Sequence, residues 1–166
     1  MSGLKLTVSP LTPDGFAPFG DVIETQGRAH YPMNAGTAQR YDDLAKVDVG
    51  AQGGRPLVSI CRAQPVKPPL MLRLMERHPL SSQAFIPLSE TPFLVVVAPP
   101  GEGIRSEDIR AFRSNGRQGI NYRAGTWHHP LLALDRVSDF LIIDRGGEGA
   151  NCDEIPIADR DIAVEL

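Results

Sequence analysis

The chain has 166 residues, 42% hydrophobic and 22% charged, which suits one domain of ordinary size around an enclosed core. A formal charge of −3 gives no electrostatic ground for a nucleic-acid or anionic-membrane partner. With 16 glycines and 15 prolines but only 6% aromatic residues, the composition favours many short elements joined by tight turns over long helices.

The first ten residues, MSGLKLTVSP, lack the basic patch and apolar run of a secretory signal. The longest apolar run, Phe93 to Pro100, is far too short to cross a bilayer. Cys61 and Cys152 stand in no metal-ligand or redox spacing, so two reduced thiols in a cytoplasmic protein are expected. No repeat or long linker interrupts the chain, and residues 1–166 are read as a single domain.

Leu4, Leu6 and Val8 alternate with polar residues and predict a first short strand. Thr12 followed by Pro13 is a helix start, and a short helix through Ala17 is expected. Tyr31 to Gly54 is polar and glycine-containing, mostly loop with one edge strand. Four strands follow at Leu57–Gln64, Leu70–His78, Gln83–Leu88 and Phe93–Ala98, separated by breaks bearing Pro or Gly. Ser106, with Glu107 and Asp108 behind it, predicts the cap of a short helix that buries Ile109 and Phe112 and leaves the charged run Arg105–Arg113 in solvent. Gly119–Arg123 and Asp139–Asp144 are further strands, with His128–Leu134 extended between them. The tail after Gly146 shows little pattern and is expected on the surface. Strand after strand at this spacing predicts an all-β barrel or sandwich.

The segment Pro69–His78 carries the clearest chemistry. Side chains alternate faces along a strand, so Leu70, Leu72, Leu74, Glu76 and His78 share one side. Three leucines mark that side as buried, and a carboxylate and an imidazole continue it. Burial without partners is costly, so each other, a ligand or a metal must satisfy them. Two hydrogen-bonded polar groups closing a barrel mouth would do so equally well.

A second cluster runs from Asn121 to Pro130, with a turn at Gly125. His128 and His129 face opposite ways if extended, so one can look inward. An inward His128 that meets Glu76 and His78 makes a site with acid–base capacity. Trp127 reads as packing. On a third strand Val58, Ile60 and Arg62 share a face, as do Phe140, Ile142 and Asp144, the last followed by Arg145-Gly-Gly147. An inward Arg62 suits a planar carboxylate, and an Arg62–Asp144 salt bridge is the structural alternative.

These segments closely resemble the ureidoglycolate lyase family almost end to end: Gly20-Asp-Val-Ile-Glu24, Arg62-Ala-Gln-Pro65, Glu76-Arg-His-Pro-Leu80, Gln83-Ala-Phe-Ile-Pro87, Trp127-His-His-Pro-Leu131, Asp139-Phe-Leu141, Asp144-Arg-Gly-Gly147 and Asn151-Cys-Asp153. Any one is weak; their order and spacing together are specific. The resemblance implies a cupin-type (RmlC-like jelly-roll) barrel with a few short helices, paired as a homodimer, in cytoplasmic purine catabolism. It implies the splitting of (S)-ureidoglycolate, from allantoin breakdown, into glyoxylate and urea.

Laid on the general cupin pattern, Glu76 takes the first histidine's place, His78 the second, Gln83 the glutamate's and His128 the last. A neutral glutamine weakens that ligand set. The resemblance also brings a divalent metal, nickel in particular, which Glu76, His78 and His128 would bind. In the acid–base version Glu76 or His78 is the base and His128 the acid. Gln83 then bonds the ureido group, Arg62 holds the carboxylate, and Asp144 is the third substrate-binding residue. The rivals are another cupin enzyme, such as a metal-dependent oxygenase, and a non-catalytic binder of small carboxylates.

Overall fold

A computed structural model of the chain describes residues 3–166. Its strands are β1 (Leu4–Pro10), β2 (Gly20–Ile23), β3 (Tyr31–Met33), β4 (Ala38–Arg40), β5 (Arg55–Ala63), β6 (Leu70–Met71), β7 (Leu74–Arg77) and β8 (Gln83–Pro87). They continue as β9 (Phe93–Ala98), β10 (Arg110–Arg113), β11 (Gly119–Tyr122), β12 (Trp127–His128), β13 (Leu132–Ala133), β14 (Ser138–Gly146), β15 (Asp153–Pro156) and β16 (Ile162–Glu165). The one α-helix among the described residues, α1 (Pro13–Phe16), starts as expected: Thr12 accepts from the Gly15 amide at 3.1 Å, and Pro13 follows it.

The all-β, cupin-type expectation holds. A five-stranded sheet in the order β2-β11-β8-β14-β5 faces a larger sheet, β15-β7-β12-β9-β10-β1-β16-β6, with β13 paired to β9. Between them lies an inner core of Phe16, Phe19, Phe85, Phe93, Val95, Val97, Phe112, Ile120 and Phe140. Phe93 and Phe140 meet edge-on at 5.2 Å across the two sheets. Each such ring contributes roughly 1.5–3 kcal/mol by leaving water, so this layer is what holds the sheets face to face.

The larger sheet is covered on its other side as well. Leu94, Val96 and Ala98, alternate residues of β9, join Leu72, Met75, Trp127, Ile157, Ile162 and Val164 in an outer core. All six residues of β9 are therefore buried, which is why its sequence is a continuous apolar run rather than an alternating one.

Four expectations need correction, and the outer core explains three. The tail is not a surface segment: β16 runs parallel to β1, and Ile157, Ile162 and Val164 are fully buried. Two short strands separated by a turn show too few repeats for periodicity to reveal. After Ser106 there is only a three-residue 3-10 turn, uncapped by any side chain, and Phe112 lies on β10. Ala111 faces the outer core and Phe112 the inner one, so an apolar residue on both sides hides the period-two signal. Leu70–His78 is not one strand either. It breaks at Leu72 and Arg73, and Leu72 and Met75 both reach the outer core from three positions apart. An uninterrupted strand forbids that. The fourth correction is that Tyr31–Gly54 holds a small hairpin of β3 and β4 in place of one edge strand.

Candidate active site

β12 sits between β7 and β9, with His128 directly opposite Glu76 on one flank and Val97 on the other. The register puts Glu76 and His128 on the inner face. Met75 and Trp127, one residue earlier on each strand, belong to the outer core. Glu76 does face inward, but the leucines are not the reason: Leu72, the most buried of them, lies on the opposite side.

His128 is only 2% exposed. Its Nδ1 lies 3.0 Å from the Thr126 carbonyl, to which it must donate, so Nε2 carries the lone pair of the neutral ring. Nε2 has no hydrogen-bond partner among the described residues. Glu76 Oε1 is 3.4 Å away, close enough for an ion pair but off the line of a hydrogen bond. Contact with His128 is the main influence holding the Glu76 carboxyl below the usual carboxylate range. Burial opposes it, and the charges of His128, His78 and His129 assist. We read the pair as a charge contact, since the angle fails where the distance succeeds.

His78 is fixed from both sides. Its Nδ1 lies 2.7 Å from the Asn151 carbonyl and its Nε2 3.1 Å from Gln83 Oε1. Gln83 in turn donates from Nε2 to Asp144 Oδ2 at 3.2 Å. A carboxylate only accepts, so Asp144 sets the amide orientation and the amide oxygen faces His78. Both ring nitrogens of His78 therefore face acceptors, an arrangement the doubly protonated ring satisfies in full. The His78 and His128 rings stand 5.1 Å apart.

Glu76, His78, His128, Gln83 and Asp144 thus come together. Arg62 does not. It lies on the outer face of β5 with its side chain 72% exposed, gripping Asp139 at 2.8 and 3.0 Å rather than Asp144. The register places Leu57 opposite Asp144 and Arg62 opposite Asp139, at the other end of the strand pair. Val58 and Ile60 misled the reading: they are apolar yet 70% and 65% exposed. Trp127 packs in the outer core, its Nε1 donating to the Gly101 carbonyl at 3.1 Å. His129 donates from Nδ1 to the Pro130 carbonyl at 2.8 Å, and burial pushes its imidazole pKa down.

Sequence reasoning missed three neighbours. Tyr122 stacks on His128 with ring centroids 4.1 Å apart and planes 10° from parallel. Asn151 holds His78 through its carbonyl and fastens its own side chain to the Leu80 amide and Ser81 hydroxyl. The Cys152 thiol lies beside Glu76 and Glu154. Burial and these carboxylates raise its pKa, which keeps it a poor nucleophile. The quoted runs around Asn121 and Asn151 contained all three, but nothing in the sequence says that Tyr122 of β11 faces His128 of β12 or that the 151–153 segment borders β7.

A profile of the ureidoglycolate lyase family matches residues 4–165. The chain belongs to that family. A ureidoglycolate lyase of Burkholderia cepacia is 58% identical over 159 residues, covering 95% of this chain and 89% of that protein. One from Stutzerimonas stutzeri is 53% identical, covering 90% of this chain and 88% of its own. One from Pseudomonas syringae pv. syringae is 51% identical, with 96% and 94% covered.

In this member of the ureidoglycolate lyase family the ligating atoms of Glu76, His78 and His128 all lie within 4.8 Å of one another. A lone-pair nitrogen without a partner, a carboxylate and a second imidazole are the donor set a divalent transition metal takes. Thr126 and Asn151 orient the two rings as outer partners do at metal centres. The residues fit such an ion once His78 Nε2 exchanges its contact with Gln83 Oε1 for the metal and keeps only its Nδ1 proton, on the Asn151 carbonyl. A cavity of about 830 Å³ lies elsewhere, between Val8–Pro13, Arg28 and Gln118, where no such cluster of imidazoles and carboxylates occurs. Among the described residues no helix is long and apolar enough to cross a membrane.

Proposed function

We propose that this chain eliminates urea from (S)-ureidoglycolate to give glyoxylate, and that the inner cluster performs the reaction. The substrate carries a hydroxyl and a ureido nitrogen on one carbon beside a carboxylate. The O–H proton leaves as the C=O bond forms, the C–N bond breaks, and the departing nitrogen takes up a proton; no water is consumed. The unpartnered Nε2 of His128 carries this reading, because a lone pair left without a hydrogen bond beside a carboxylate is an acceptor with capacity for a proton.

The hydrogen bonds favour a division of labour opposite to the sequence expectation. His128, held as an acceptor by Thr126, takes the hydroxyl proton, and Glu76 stabilises the imidazolium that forms. His78, facing acceptors at both nitrogens, supplies the proton to the leaving nitrogen. Positioned groups of this kind contribute about 10²–10⁴ in rate. Asp144 and Gln83 act on His78. Arg62, on the outside, is not the anchor for the carboxylate.

A divalent cation, nickel being the one the family resemblance suggests, would be held by Glu76, His78 and His128 and when bound would polarise the substrate hydroxyl. Release of glyoxylate and urea from ureidoglycolate, followed with and without a chelator, tests the reaction and the cation together. No glyoxylate under either condition would reject the lyase reading.

We also propose a cytoplasmic homodimer, with residues 1–166 as one domain, serving purine catabolism. Val58 and Ile60 on the outer face of β5, beside Leu141 and Ile143 of β14, form an apolar face that a second copy would cover. Light scattering on V58E/I60E should show monomers where the unaltered protein is a dimer.

A further inference from the structure

Tyr122 lies in the aromatic wall of the inner core and yet is not a phenylalanine. Its ring packs 6.2 Å from Phe16 and 6.1 Å from Phe85, and its third neighbour is the stacked His128. The residue is 5% exposed. A tyrosine this deeply buried ordinarily finds a hydrogen-bond partner, because taking a hydroxyl out of water is otherwise unfavourable. Among the described residues its hydroxyl has none, and it is not one of the fully sealed orphan atoms, so it opens on free space.

The register says which space. Tyr122 pairs with Gln83 across β11 and β8, and Gln83 is bonded to His78 and Asp144. On the other side of β11 Tyr122 pairs with Gly20, where any side chain would collide with the Asn121 backbone carbonyl. β2 can therefore close against β11 and hold the ring in place.

We propose that Tyr122 is a further catalytic residue of this site, whose hydroxyl donates a hydrogen bond to an acceptor oxygen of the bound substrate. The flat contact with His128 sets the ring beside the group that takes the substrate proton, so hydroxyl and imidazole meet the same small molecule. A phenol keeps its proton at neutral pH, so the group can act as a donor. Phenylalanine would fill the wall equally well; the oxygen is explained by the ligand. The proposal rests on the lyase reading above.

Tyr122→Phe removes the oxygen and keeps the ring stacked on His128. The full-length protein and Y122F are compared for glyoxylate release from ureidoglycolate and for thermal midpoint. The expected result is a fall in kcat/KM of about tenfold or more, the size of one transition-state hydrogen bond, with a midpoint equal to or above that of the unaltered protein. A smaller fall overturns the proposal. So does a fall accompanied by a lower midpoint, since a structural hydroxyl would do that. If the unaltered protein releases no glyoxylate, the lyase reading fails first; if it is active and Y122F matches it, this proposal fails alone.

Discussion

Trp127 and His128 are neighbours on one two-residue strand, and they live under opposite rules. Trp127 enters the outer core, 1% exposed, with its one polar atom bonded to the Gly101 carbonyl and the Arg77 guanidinium 4.7 Å over its ring. His128 enters the inner mouth, 2% exposed, with one ring nitrogen bonded and the other left open beside Glu76. Burial is equal, so burial does not distinguish structure from chemistry. What distinguishes them is whether the polar atoms are satisfied: an apolar layer tolerates no open hydrogen bond, and a reacting site requires one.

The largest effects should separate these two faces cleanly. H128N and E76Q should each lower kcat by about 10²–10⁴ while circular dichroism and the thermal midpoint show a folded protein. Full activity in both would remove the inner mouth from the chemistry. W127A should do the reverse, lowering stability by roughly 3–5 kcal/mol in denaturant titration while the folded fraction keeps its turnover. I162A should behave likewise at roughly 2–5 kcal/mol, where a surface tail would give almost nothing; an unchanged midpoint would mean that β16 is not docked.

A smaller effect concerns acid. The Glu76 carboxyl is held below its ordinary range when folded, so it contributes stability above the ordinary carboxylate pKa. That contribution is lost as pH falls through the lowered folded value. E76Q should therefore show a shallower loss of stability on the acid side than the unaltered protein; parallel curves would contradict the contact with His128. The smallest change is expected from R62A, which breaks only an exposed pair with Asp139. Its KM for ureidoglycolate should stay within about twofold, since the side chain never reaches the mouth. A large rise in KM would return Arg62 to the substrate.

Strands bounded by turn residues at both ends were legible. Phe93–Ala98, Gln83–Pro87 and Gly119–Tyr122 emerge within a residue or so of their expected bounds, because length, β-branched or aromatic residues and flanking turns agree. Elements without such bounds were not. β10 puts Ala111 in the outer core and Phe112 in the inner one and so loses the alternation that would report its faces, and the β6–β7 segment breaks at Leu72 and Arg73, so no single face runs through it. Arg62 failed for the converse reason: on an outer edge strand, Val58 and Ile60 imitate a buried face while standing in solvent.

By itself the sequence determined the kind of fold, the family resemblance and the residue types available for chemistry, since composition, turn signals and ordered motifs are local properties of the chain. Which of those residues meet was decided by tertiary structure alone. Glu76 and His128 lie 52 positions apart by their numbers and become neighbours only through the pairing of β7 with β12. The ends of His78 are held by Gln83 and by Asn151, the latter from a segment that showed no pattern. Hydrogen-bond direction and the His128 nitrogen left open are products of that meeting, because they depend on what stands opposite in space.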